Sequence, residues 1–303
     1  MHWFFIALIS PFLWSISNHI DKYLIGGYLK KIKFTSFVIT TSIFTAVFAL
    51  GIFAFKPSVI HIQFDYFLLL ILDGIFSAIY LFPYYQALVY EEASIVVPMF
   101  QMIPILGFIL GFIFLGEHLK LEQILAGIII ISGALGLSLE LNERIRLKSK
   151  VFFLMLVSSL IVSFGVLIYK FVALHTGFWT AIFWQQIGIV LTALSLMIVP
   201  DYRENFMEMV LRQNSTFLIW EGINEIVSQS AALIFGYSYL LAPIALVQLV
   251  GSVQPLFVLI LGIGVSIFPA KFFPEDISRK FLIQKVMFIC LILFGSYLLF
   301  RNL

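Results

Sequence analysis

Long apolar runs separated by short polar or proline-bearing breaks predict helices near 3–26, 34–55, 66–88, 93–115, 121–141, 151–173, 178–199, 215–240, 242–267 and 281–301. At least nine of these runs reach about 18 residues with few charges, enough at about 1.5 Å per residue to cross a hydrocarbon core of roughly 30 Å. Barrel strands would read as alternating segments of about ten residues. Continuous runs indicate helices, which satisfy their own backbone groups inside lipid. The narrowest break is Leu241-Ala242-Pro243, between the eighth and ninth spans. The longest polar segments are 140–150 and 200–214, and the first divides the chain almost in half.

The two halves resemble each other. A shift of 148 pairs Phe5 with Phe153, Ser10 with Ser158, Ser15 with Ser163, Lys22 with Lys170, and Asp73-Gly74 with Glu221-Gly222. A shift of 151 pairs Pro104 with Pro255. Polar positions match as well as apolar ones, which argues against chance similarity between lipid-facing segments. The expected organisation is a first repeat over 1–141, a polar linker over 142–150 and a more divergent second repeat over 151–303. An odd number of helices per repeat places the second upside down in the membrane, so the fold class is all-α integral membrane, with about ten spans in two inverted five-helix repeats.

Composition agrees: 62% of residues are hydrophobic and 11% charged, far from the balance of a soluble domain. The net charge is +2, and the basic residues are scattered over loops, so no nucleic-acid partner is expected. The expected partners are the lipid bilayer and a small-molecule substrate, with the chain a monomer or homodimer. The single Cys290 excludes an intrachain disulfide framework. The opening MHWFFIALISPFLW lacks the charged lead-in of a secretory signal and reads as a retained first span.

A series of motifs adds a family. Trp14 to Lys22, Ala93-Ser94 before Pro98 and Pro104, Leu115-Gly116-Glu117, and Gly127 to Gly133 together resemble the EamA-type repeat of the drug/metabolite transporter superfamily. The resemblance implies two inverted five-helix repeats around a central cavity and transport of small metabolites, often as export. The second half departs from the pattern, reading Ser266-Ile267-Phe268-Pro269 where a second Leu-Gly-Glu would fall. Glu117 itself reads as an interfacial loop residue. Orientation is contested. Fourteen of the eighteen basic residues lie on the ends opposite the termini, which favours both termini outside by the positive-inside rule, whereas the resemblance implies both in the cytoplasm.

Charges inside apolar helices are candidates for function. Glu221, Asn224, Glu225 and Ser228 follow an i, i+3, i+4, i+7 spacing that places them on one helix face. Glu225 would lie about 15 Å into the membrane. Two carboxylates one turn apart repel in a low dielectric, so one of them is expected to hold a proton and serve coupling, the alternative being a packing role beside Lys170. Asp73 is the repeat counterpart of Glu221, suited equally to a cavity or to a structural hydrogen bond. Lys22 and Lys170 are expected to snorkel to the interface, or else to pair with Asp73 and Glu221 or hold an anionic group. Gln101, Gln185, Gln186, Gln248, Gln254 and Tyr80 are candidates for lining a cavity, each with helix-to-helix bonding or interfacial anchoring as the plainer role. Pro83, Pro98, Pro104, Pro243 and Pro255 mark breaks that transporters use at binding sites or hinges.

No catalytic constellation, metal-ligand spacing or phosphate-binding glycine loop is present in the sequence, so no enzymatic role, cofactor or metal is expected. The sequence supports a secondary-active transporter, expected to export a small organic metabolite such as an amino acid or related amphipathic compound, by alternating access and with proton coupling. A bacterial inner membrane is the expected location. The alternatives are a nucleotide-sugar or lipid-linked sugar translocator of the same superfamily and a non-transporting scaffold or accessory subunit.

Overall fold

The computed structural model describes residues 2–27, 34–90, 96–138, 149–212, 215–267 and 279–301, and every regular element among them is helical. The helices are α1 (His2–Gly27), α2 (Phe34–Phe55), α3 (Phe64–Ile79), α4 (Leu81–Tyr90), α5 (Met102–Leu115), α6 (Leu121–Ser138) and α7 (Ser149–Thr176). There follow α8 (Phe178–Leu196), α9 (Pro200–Arg212), α10 (Ser215–Tyr239), α11 (Ile244–Gly251), α12 (Gln254–Ile267) and α13 (Arg279–Arg301). Short 3₁₀ turns occupy Pro57–Ile60 and Val97–Gln101. The motif residues Ala93 and Ser94 and most of the 142–150 linker lie outside the described residues.

Proline decides where the apolar runs stop being single helices. Pro83 has no N–H to offer the Ile79 carbonyl, and the expected third span divides there into α3 and α4 at Tyr80. The Tyr80 carbonyl, only weakly engaged by Tyr84 N at 3.4 Å, accepts a second bond from Ser158 Oγ at 2.9 Å. Pro255 similarly removes a donor after Gly251, and the expected ninth span becomes α11 and α12 around a turn at 252–253. The segment 200–214, expected only as a polar loop, contains the amphipathic helix α9. Its Phe206 and Met209 pack with Ile39 of α2, and its other edge exposes Met207 and Leu211.

Counting α3 with α4 and α11 with α12 as one span each, and setting α9 aside, leaves ten spans. Several of their main contacts follow an exchange of the first five for the last five, although α3 packs on α8 far more extensively than its counterpart, α2 on α10. The packing of α1 on α10 corresponds to that of α7 on α3, and α1 on α11 and α12 corresponds to α7 on α5. The contacts of α2 with α8, α5 with α11 and α6 with α13 map onto themselves. That is the arrangement of inverted repeats. The α6–α13 seam is close: a Cβ on Gly133 would lie 2.7 Å from Ile292 Cγ1, and one on Gly295 2.8 Å from Ile130 Cγ1. Small residues of this kind let helices approach where lipid offers no hydrophobic drive to bring them together.

Six helical stretches among the described residues are long and apolar enough to cross a membrane, and three shorter apolar helices accompany them. Large side chains such as Phe55, Ile113, Phe153, Leu174 and Tyr297 are exposed along their outer faces, while Ser10, Ser15, Asp73, Ser163, Glu221 and Glu225 are buried between helices. Apolar outside and polar inside is the pattern of a bundle solvated by lipid.

Candidate functional site: two acidic positions joined through one helix

Asp73 of α3 is buried, and its Oδ2 accepts a 2.8 Å hydrogen bond from Nε2 of Gln185 on α8. The contact is possible because α3 and α8 meet at glycines. A Cβ on Gly74 would stand 2.3 Å from the Gln185 carbonyl oxygen, and one on Gly188 would stand 2.6 Å from the Ile71 carbonyl oxygen. Gly165 of α7 closes the third side, where a Cβ would lie 3.0 Å from Asp73 Oδ1.

The neighbouring glutamine on α8 serves the second repeat. Gln186 Nε2 donates to Gln229 Oε1 at 2.7 Å, and Gln229 Nε2 donates in turn to Glu225 Oε1 at 2.7 Å and to Thr45 Oγ1 at 3.1 Å. Thr45 Oγ1 shares its one proton between the Thr41 carbonyl at 3.0 Å and Glu225 Oε1 at 3.3 Å. The chain of donors therefore terminates on one carboxylate, as it should where a charged acceptor is stronger than an amide. Next to Glu225 on α10, Asn224 Oδ1 accepts from Ser17 Oγ of α1 at 2.7 Å. Glu221, Asn224 and Glu225 are all buried, as the shared face required, and Ser228 is half-buried.

A third polar node lies where α5, α7 and α11 meet. Gly116 adopts the left-handed conformation at φ 65°, ending α5, and Glu117 N bonds back to the Gly111 carbonyl at 3.0 Å. This folds the Glu117 side chain over Gly111, where a Cβ would come within 2.5 Å of Glu117 Oε2. Glu117 Oε1 pairs with Lys170 Nζ at 2.5 Å, and Oε2 accepts the first N–H of α11, from Ile244, at 2.8 Å. Lys170 Nζ also donates to the Ala242 carbonyl at 2.6 Å. The carboxylate thus caps a helix whose N-cap, Pro243, offers no side-chain hydrogen bond.

This node corrects two expectations. Lys170 does not snorkel: pair and carbonyl hold it inside the bundle, 8% exposed beside a Glu117 that is 12% exposed. Its acid is Glu117 rather than Asp73, Glu221 or Glu225. Glu117 is accordingly not a free interfacial residue. The remaining candidates are spread out. Gln248 Nε2 donates to Tyr239 OH at 2.5 Å, near the same node. Tyr80 packs edge-on against Phe100, while Gln101 ends the 3₁₀ turn before α5 and Gln254 opens α12, both half-buried. Lys22 lies on α1, but its side chain falls outside the described residues. Gln229, Thr45, Ser17 and Tyr239 were not singled out by the sequence. Only Gln229 had a signal, its i+4 spacing from Glu225.

Fold and polar interior define a multi-pass helical membrane protein. Residues 1–139 match the model of the EamA-like transporter family, so the resemblance carried by the motifs holds over that stretch. A solved crystal structure, described simply as that of a protein, shares the fold with a TM-score of 0.71 at 15% identity, over 98% of this chain and 96% of its own. No curated protein matches the chain.

Proposed function

We propose that the chain is a secondary-active transporter that exports a small organic metabolite, such as an amino acid or related amphipathic compound, by alternating access coupled to protons. The observation that carries this reading is the pair Gln185–Gln186. Two adjacent side chains on α8 reach the acid of the first repeat, Asp73, and, through Gln229, the acid of the second, Glu225. A rearrangement of α8 against α3 or α10 changes the hydrogen bonding of a buried carboxylate, and with it that carboxylate's proton affinity. Glu225 and Glu221 are then the proton-handling groups, with Asn224 and Asp73 shaping the route.

The nucleotide-sugar alternative requires a basic cavity for phosphate. Lys170, one of two cations suited to that role, is neutralised by Glu117, which weighs against such cargo. A bacterial inner membrane, with the protein as monomer or homodimer and the termini outside by loop charge, completes the proposal.

The test is flux in proteoliposomes under a pH gradient, with a cargo first found by thermal shift against a metabolite library, since bound cargo stabilises the native state. Glu225→Gln is expected to abolish gradient-driven flux while the protein stays folded and still binds cargo. Undiminished driven flux would end the coupling role, and the absence of any saturable flux in the unaltered protein would favour a scaffold.

A further inference from the structure

The Leu115-Gly116-Glu117 motif that carries this node does not recur in the second half of the sequence. Carrying Lys170 back by the repeat shift leads to Lys22, which is again a cation. Carrying Glu117 forward leads to the end of α12, where the chain reads Ser266-Ile267-Phe268-Pro269 and offers no carboxylate. The ion pair therefore joins the hinge of the first repeat to the first helix of the second.

Ten spans place both termini on one face of the membrane. α5, α7 and α10 all run toward that face, and Lys170 sits about two turns before the end of α7. We infer that Glu117 and Lys170 are gate-positioning residues for the terminus-bearing face. The inference rests on the alternating-access reading above.

Three bodies must part for the terminus-bearing face to open: the 116–120 hinge, the end of α7 and the start of α11. Glu117 touches all three, through its own backbone, Lys170 Nζ and Ile244 N. Lys170 adds a fourth tie, to Ala242 just after α10. In surroundings of low dielectric these charge-assisted contacts are strong and their parting leaves both ions poorly solvated. Gly107 keeps α5 tight against α11, since a Cβ there would lie 3.1 Å from Ile244 Cγ2. The empty protein accordingly favours the arrangement sealed on the terminus-bearing face, and opening on that side is the step that cargo or a proton must drive.

The test is alkylation of a reporter behind the node, in the full chain reconstituted into vesicles of defined orientation. Cys290→Ser removes the native thiol, and Gln248→Cys, one turn into α11, supplies the reporter. A membrane-impermeant maleimide is applied from each face in turn. Glu117→Gln, which keeps the shape and an acceptor for Ile244 N, is expected to raise labelling from the terminus-bearing face by about tenfold or more, the scale of a population shift when one differential contact is lost. Lys170→Arg, which keeps the charge pair, is expected to label slowly, like the parent. Unchanged labelling in Glu117→Gln overturns the gate. So does an equal rise from both faces, or an equal rise in Lys170→Arg, because either reports general loosening of the bundle. The labelling needs no cargo, so a failure of flux with intact gating sinks the transporter reading alone, and unchanged labelling with intact flux sinks the gate alone.

Discussion

Asp73-Gly74 and Glu221-Gly222 occupy the same place in the two repeats, yet their surroundings differ. The first acid is held at a glycine-on-glycine crossing in which α3 and α8 touch backbone to backbone. At the second, a Cβ on Gly222 would meet the Phe44 ring at an ordinary van der Waals distance of 3.4 Å, and Thr45, Glu225 and Gln229 bond to one another along α10. One repeat closes its acidic position with backbone, and the other with exchangeable hydrogen bonds. Inverted repeats whose halves pack identically would sit midway between two facing states. On the alternating-access reading proposed above, this unequal packing would favour one of them.

Substitutions sharpen the contrast in decreasing order of effect. Gly74→Ala brings a methyl group into the Gln185 carbonyl oxygen and the Gly188 backbone, which cannot swing aside, so a loss of about 3 kcal/mol, the upper end of the overpacking range, is expected in thermal unfolding in detergent. Ser17→Ala removes the donor to Asn224 on the looser side and is expected to cost roughly 0.6 kcal/mol, the mean for interhelical hydrogen bonds in membranes. Gly222→Ala, the repeat counterpart of the first change, meets only the edge of Phe44 and is expected to stay within about 0.5 kcal/mol of the parent. Comparable losses for Gly74→Ala and Gly222→Ala would erase the distinction between the two sides.

Much of this architecture is legible in the chain because lipid makes polarity expensive. Where Glu221, Asn224 and Glu225 recur at helical spacing within an apolar run, the only comfortable place for them is the interior, and that is where they lie. Pro83 and Pro255 likewise announce their breaks through chemistry local to the sequence. The node at Glu117 was hidden for the opposite reason. Its partners stand 53 and 127 residues away, and nothing within the Gly116-Glu117-His118 hinge distinguishes a carboxylate facing water from one turned inward over Gly111. Thr45 and Ser17 were concealed by abundance, since hydroxyls in these helices commonly bond to a carbonyl one turn back, as Thr40, Ser42, Ser163 and Thr192 do. Helix α9 was obscured by its charges, although Phe206 and Met209 already carried the i, i+3 spacing of a buried stripe.

The seam between α6 and α13 has a consequence for how such a chain can have diverged after a duplication. Elsewhere the halves differ, as the unequal surroundings of Asp73 and Glu221 show, although Gly74 and Gly188 tie them together as closely at the α3–α8 crossing. At Gly133 and Gly295 each helix uses the other's lack of a side chain, so a larger residue on one demands a simultaneous retreat by Ile292 or Ile130 on the other. The last helix of each repeat is therefore a joint inheritance, and along this seam, as at the α3–α8 crossing, the two halves can change only together.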